Sequence, residues 1–218
     1  MKLRILLHKL RYYRGRKFFT VYYKVLGFRG KIFLAWYRFL FPKLNVGANP
    51  TIWGSFYIMM YDPMNGSIEI GNNLHMVSDA RRAGITCYSP SKFTTIGEAK
   101  IKIGDHVSMT GTVITCKKYV EIGSHTMIAP NVIIVDTDFH AQWPPEARSV
   151  PVDPQFNRAV KIGNYVWIGM NSIILKGVEI GDNTIIGAGS VVSSSIPGNV
   201  LAAGNPARVI RRLDQPDL

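Results

Sequence analysis

The chain is poor in cysteine and, over its front end, empty of acid. Cys87 and Cys116 are the only cysteines among 218 residues, too few for a disulfide scaffold and in keeping with reduced thiols in a cytosolic protein. No apolar run exceeds six residues (Ile32–Tyr37 is one), whereas a membrane-spanning helix needs about 20. A transmembrane segment is therefore not expected. Lysines and arginines interrupt every candidate apolar stretch, which argues against a cleavable signal peptide. No P-loop, no Gly-x-Ser-x-Gly elbow and no His-Glu-x-x-His stands in the chain, and His8, His75, His106, His125 and His140 lack metal-ligand spacing. No metal is expected. What is present, 47% apolar and 18% charged residues, suffices for the core of one ordinary domain.

The missing acid is local. Residues 1–43 hold 12 of the 26 Lys+Arg and no Asp or Glu; the first acid is Asp62. The other 14 basic residues cancel the 14 acids, so the whole net charge of +12 sits in the first fifth of the chain. The same stretch carries 12 of the 24 aromatics. Two regions of different chemistry meet near Pro42.

The second region is repetitive. Ile162, Ile168, Ile174, Ile180, Ile186 and Val192 recur every six residues. Gly follows Ile at 163, 169, 181 and 187, and Val166, Ser172, Val178, Thr184, Ser190 and Ile196 occupy the position four residues after each. Ile122, Ile128 and Ile134 continue the series upstream; Ile103, Met109 and Thr115 form another set, and Val46, Ile52, Ile58, Met64, Ile70 and Met76 a fainter one. Six is not a helical period. It fits a short strand and a tight corner, with the glycine permitting the bend and every sixth side chain inside. Stacked turns of this kind form a parallel β-solenoid, because no single turn can bury its own face. The count breaks between Met76 and Ile103 and between Ile134 and Ile162, which predicts loops at about 78–100 and 136–160; between Thr115 and Ile122 it predicts a one-residue bulge at Lys117-Lys118. Pro144, Pro145, Pro151 and Pro154 fall in the second loop, where no ladder position is needed.

The segments IGSHTMIAPN (Ile122–Asn131), DTDFH (Asp136–His140), Val160–Val192 and Pro197–Leu213 resemble the hexapeptide-repeat acetyltransferases. They are similar to galactoside and maltose O-acetyltransferases and to sugar O-acetyltransferases of surface-polysaccharide clusters. The resemblance covers about residues 100–213, is weak over 44–99 and absent over 1–43. It implies a mainly β fold, a left-handed parallel β-helix; the N-terminal α-helical segment expected ahead of it rests on the pattern of residues 1–43 alone. It further implies a homotrimer with sites between subunits and acetyl-coenzyme A as co-substrate. The domain reading is 1–43 basic and aromatic, 44–213 β-helix, 214–218 tail.

Acetyl transfer to a hydroxyl needs a base for the proton and donors for the oxyanion, and histidine suits the first task. His140 matches the family's catalytic histidine. Asp136 or Asp138 could hold its imidazole, with Asp138 the choice, or merely cap the turn. The resemblance places Asn131 and Trp167 at the acceptor, although a corner asparagine in left-handed geometry and an outer packing tryptophan read equally simply. It places Met170, Ala188 and Ser190 along the pantetheine arm, and Arg208 and Arg211 near the nucleotide phosphates; a solvated basic tail is the plainer reading of the arginines. The chain departs from the family at Ala141, where proline is frequent, and at Ser193-Ser194-Ser195, where many members carry Thr-Lys-Asp.

Residues 2–41 lack proline, and Leu3, Leu6, Leu7, Leu10 and Tyr13 recur at helical spacing; a second helix is expected around Lys31–Phe41, after Gly27 and Gly30. Cations interleaved with aromatics suit an anionic lipid surface. A helical cap on the solenoid is the alternative, and no nucleic acid is expected. The reading is an acetyl-coenzyme A-dependent O-acetyltransferase acting on a sugar hydroxyl of a surface glycan, free or lipid-linked. It would be cytoplasmic, peripheral on the inner face of the membrane. An amino-sugar N-acetyltransferase, a xenobiotic acetyltransferase and a non-catalytic scaffold solenoid stand beside it.

Overall fold

A computed structural model describes residues 25, 27–79 and 86–213. Helix α1 runs over residues 27–40, with Val25 also helical, and is followed by short strands wound in turns of three. The first turn is β1 (Leu44–Val46), β2 (Thr51–Trp53) and β3 (Tyr57–Met60), and the second is β4 (Ser67–Ile70), β5 (His75–Val77) and β6 (Lys92–Thr95). The third is β7 (Lys100–Ile103), β8 (Ser108–Thr110) and β9 (Val113–Cys116), and the fourth is β10 (Tyr119–Ile122), β11 (Met127–Ile128) and β12 (Ile133–Val135). After a loop come β13 (Val160–Ile162), β14 (Trp167–Ile168) and β15 (Ile173–Ile174), then β16 (Glu179–Ile180), β17 (Ile185–Ile186) and β18 (Val191–Val192). A hairpin, β19 (Val200–Gly204) and β20 (Ala207–Arg212), closes the stack. Each strand pairs in parallel with its equivalent one turn away, giving sheet A (β1-β4-β7-β10-β13-β16), sheet B (β2-β5-β8-β11-β14-β17-β19-β20) and sheet C (β18-β15-β12-β9-β6-β3). Only the β19–β20 pair is antiparallel.

The sixfold positions line the axis. Ile162, Ile168, Ile174, Ile180, Ile186 and Val192 are each at most 2% exposed, and the positions four residues on are buried too. The buried hydroxyls there are satisfied by corner carbonyls: Ser172 Oγ donates to Gly169 O at 2.8 Å, Thr184 Oγ1 to Pro197 O at 2.8 Å and Thr126 Oγ1 to Gly163 O at 2.8 Å.

The corners correct the expected role of glycine. Gly163, Gly169 and Gly181 do not have positive φ; a Cβ there would lie 2.3–2.5 Å from the next turn, against Asp182 Oδ1, Ala188 N and Gly198 N. They permit close stacking. The left-handed bend falls two residues later, at Tyr165, Asn171 and Asn183. Asn49, Asn73, His106, His125, Tyr165, Asn183 and Asn199 take φ of 55–60° at the A–B corner, a conformation in which asparagine is tolerated best. The non-asparagine members stack ring on ring, His106 on His125 at 4.8 Å and His125 on Tyr165 at 4.7 Å.

The loops differ from expectation at their edges. The first spans 78–91 rather than 78–100, because Phe93 takes the inward place of an aliphatic residue and β6 pairs with β9 in register Phe93–Ile114. In the third turn Ile114, not Thr115, points inward. Its B–C corner at Gly111 is one residue short, and the C–A corner at Lys117-Lys118 is two residues long rather than one. Met64 is also outside, on an exposed corner. The second loop, 136–159, falls where the broken count put it.

Helix α1 begins before Lys31 and includes Gly27 and Gly30. Gly30 is required there: a Cβ would lie 2.4 Å from Ile52 O. This close approach seats α1 over the open edge of the first turn, where Leu34 is buried and Phe33 and Tyr37 meet Phe56 at 6.3 and 5.4 Å between ring centroids. The Tyr37 hydroxyl donates to Phe56 O at 3.1 Å. Such a cover protects strand edges from further pairing. The helix expected over Leu3–Tyr13 and the 214–218 tail lie outside the described residues.

Candidate active site

The loop that carries His140 is rooted by two carboxylates. Asp136 is fully buried at the end of β12 and accepts from the backbone N–H of Lys117, Lys118 and Tyr119 at 2.8, 2.7 and 2.9 Å. The two extra residues of the neighbouring turn make this possible, by folding three N–H groups around one anion. Asp138 forms an ion pair with Lys176, accepts from Gln142 Nε2 at 2.7 Å, and Lys176 Nζ also reaches Phe156 O at 3.4 Å. Both limbs of the loop are thus tied to the corner after β15.

Between these anchors the chain turns sharply. Phe139 has φ of +66°, its N–H donates to Thr137 Oγ1 at 3.1 Å, and the His140 N–H donates to Asp138 O at 2.8 Å. Residue 140 bridges to Pro151 across the loop. The imidazole is left exposed, with no partner among the described residues, on a shallow cleft of about 490 Å³ shared with Gln142 and Arg148. Neither aspartate hydrogen-bonds to the ring. Asp138, the residue expected to hold the imidazole, pairs instead with Lys176 and Gln142, and Asp136 accepts from backbone amides. Lys176 and Gln142 were not singled out by the sequence, because their roles depend on how the loop closes.

Both thiols are buried. Burial and the adjacent Asp136 carboxylate push the Cys116 thiol up, and burial raises Cys87, which favours the protonated form of both buried thiols.

The remaining predicted residues lie elsewhere on the prism. Asn131, at φ of +64°, sits at the B–C corner; its amide donates to Thr86 O at 2.9 Å and Asn171 Oδ1 at 3.1 Å and accepts from Tyr88 N at 2.8 Å. Within one subunit it is the peg that holds the first loop. Met170 and the exposed Ala188 follow on the same corner, with Gly189 open to space. Trp167 stands outward on sheet B, 51% exposed, in a row that runs Met127, Trp167, Ile185, Leu201 and then Arg211. Arg208 is exposed on the same hairpin. Ser190 is not on this edge. It occupies an inward +4 position, 0% exposed, donating to Gly187 O at 2.6 Å and accepting from Gly204 N at 3.2 Å.

The predicted site is therefore split within one subunit. His140 leaves the C–A corner, whereas Asn131, Met170 and Ala188 mark the B–C corner, a strand of sheet C (about 10 Å) away. No group of three or more metal-ligating side chains occurs among the described residues.

The family pattern described as bacterial transferase hexapeptide (six repeats) matches residues 159–194. The chain is 45% identical over 98 residues to the galactoside O-acetyltransferase of Escherichia coli, covering 45% of this chain and 46% of the relative. It spans less than half the length of that protein and of its Lactococcus lactis counterpart. It is 32% identical over 157 residues to a putative lipopolysaccharide biosynthesis O-acetyl transferase, WbbJ, of Escherichia coli, covering 68% of this chain and 73% of the relative. Among solved structures, an N-acyltransferase from Bacillus cereus, AntD, in complex with dTDP-4-amino-4,6-dideoxyglucose and coenzyme A, superposes with a TM-score of 0.57 at 23% identity, over 78% of this chain and 84% of that one. At that identity the likeness is one of fold. By its repeats, its left-handed parallel β-helix and this overlap, the chain belongs to the bacterial hexapeptide-repeat transferase family.

Proposed function

We propose that the protein transfers an acetyl group from acetyl-coenzyme A to a sugar hydroxyl of a surface glycan, with His140 as general base. The observation that carries this reading is the state of His140: a loop anchored by two carboxylates, and an exposed imidazole with no competing partner among the described residues. A base must be free to meet the proton it removes. The relationship to WbbJ over most of both chains supports a surface-glycan acceptor.

Acetyl-coenzyme A supplies the thioester. Met170, Ala188 and the Trp167-to-Arg211 row offer it an outward-facing, partly exposed track, open at Gly189, ending at the guanidinium groups of Arg211 and Arg208. His140 takes the proton of the acceptor hydroxyl as its oxygen attacks the carbonyl carbon. The resulting imidazolium returns that proton to the departing thiolate. Asp138, Lys176 and Gln142 act as positioning residues by fixing the loop and do not bond to the ring.

The reading includes a trimer. Because His140 and the donor track lie at different corners, a neighbouring subunit is needed to bring them together. It also includes a peripheral place on an anionic cytoplasmic membrane face, which would present a lipid-linked acceptor. No helix among the described residues is long and apolar enough to cross a membrane.

The test is acetyl transfer by the purified protein to a panel of glycosides, read by thiol release and product mass. Activity should fall by about 10²–10⁴-fold in His140→Ala, with coenzyme A binding retained. Near wild-type turnover of that variant would exclude His140 as the base.

A further inference from the structure

Helix α1 is apolar on two opposite sides. One side, with Gly30, Leu34, Tyr37 and Phe41, is packed on the first turn. Val25, Phe28, Ile32, Trp36 and Phe39 are spaced by three or four and so share a line along the helix. That line is turned away from the packed side, and its members are 51–80% exposed. Trp36 and Phe39 lie 6.4 Å apart between ring centroids. A helix apolar on both sides is normally buried on both; here none of the described residues covers the second side.

The flanks say what covers it. Over the described helix the charged residues are Arg29, Lys31 and Arg38, with no acid. Lys31 and Arg38 border a cleft of about 770 Å³ that also takes in Phe28, Ile52 and Trp53, next to the stripe. The helix belongs to a segment with 12 Lys+Arg and no Asp or Glu. A second copy docked here would set that charge against itself. An anionic bilayer answers both features, because apolar rings sink to headgroup level while Lys31 meets lipid phosphate, Arg29 and Arg38 being bonded also to Ser55 Oγ and Val46 O.

We propose that the Val25–Phe39 stripe is a membrane-contact face, laid in the plane of an anionic bilayer with Phe28, Ile32, Trp36 and Phe39 at the headgroup level. The helix is then both things the sequence left open, a cap by one side and a lipid contact by the other. The inference deepens the membrane part of the proposed function. It rests on the acetyl-transfer reading only for what the bilayer delivers, and it is read without turnover, so the two can fail separately.

The experiment uses the full chain and vesicles of phosphatidylethanolamine with phosphatidylglycerol, against phosphatidylcholine alone. Flotation should be strong with the first and weak with the second. Lipids brominated along the upper acyl chain should quench tryptophan emission in the wild type, and this quenching should be lost in Trp36→Phe, since Trp53, Trp143 and Trp167 are off the stripe. Phe28→Ser and Phe39→Ser should each weaken partitioning about tenfold with an unchanged melting temperature. Failure of the wild type to float, unchanged flotation of both serine variants, or quenching that survives in Trp36→Phe would overturn the proposal. So would an Ile32→Glu variant that keeps its lipid binding but loses mass in light scattering, because the stripe would then be covered by a second copy.

Discussion

Sheets A and C have the same inner rows and opposite outer ones. The outward row of sheet A reads Glu69, Lys102, Glu121, Lys161, Glu179, one charge per turn with alternating sign. Lys102 meets Glu121 at 2.9 Å and Lys161 meets Glu179 at 3.0 Å. The outward row of sheet C begins with Tyr57 and Lys92 and from the third turn on reads Val113, Ile133, Ile173, Val191. Cross-strand pairing of opposite charges finishes a face for water; a row of branched aliphatics leaves one to be covered. Sheet C is also bordered by the two corners over which the proposed site is divided. A neighbour packed on that face would bring its own corners to His140 and to Ala188, as the proposed trimer requires.

Substitutions can break this contrast. The largest effect is expected for Ile173→Glu, which places a carboxylate in the middle of the sheet C row. It should dissociate the assembly and abolish acetyl transfer together, as read by light scattering and turnover on the same sample. An unchanged mass would exclude sheet C from the interface. Next comes Lys176→Met, which removes the anchor of Asp138 without touching the acceptor. Turnover should fall about tenfold through misplacement of His140 while the mass stays that of wild type. Arginine should restore part of the loss, because it keeps the charge. Smallest is Lys102→Ala on sheet A, which should cost about 0.5 kcal/mol or less in thermal unfolding, as exposed pairs do. The Lys102 ammonium holds the Glu121 carboxyl below the usual carboxylate range. Its stabilisation is therefore present above that range and lost as pH falls through the lowered value. The gap between wild type and Lys102→Ala should be widest near neutrality and close in acid.

The solenoid was legible because its rule is local. Six residues separate Ile162, Ile168 and Ile174 in the sequence and one turn of a prism places all three on the axis. The rule was hidden where a corner changes length. Gly111 shortens one corner and Lys117-Lys118 lengthen the next, so Thr115 took the inward place that belongs to Ile114. Ser190 shows the opposite error: its +4 position already marked it as internal, and resemblance to an outer edge outweighed that. His140 could be found from its motif, but its surroundings could not. Asp138 meets Lys176 from 38 residues away, and Asp136 gathers amides 17–19 residues back. Those partners are set by stacking of turns, which no linear spacing records.

The central claim, a site completed across subunits, is tested most directly by mixing two inactive variants. His140→Ala removes the base, and Ala188→Glu blocks the exposed donor corner. Dissociated and reassembled at equal amounts, the two should recover about a quarter of wild-type acetyl transfer, since one site in four would join an intact His140 to an intact Ala188 corner from the next subunit. A mixed assembly of the right mass with no activity above that of the separate variants would contradict the account.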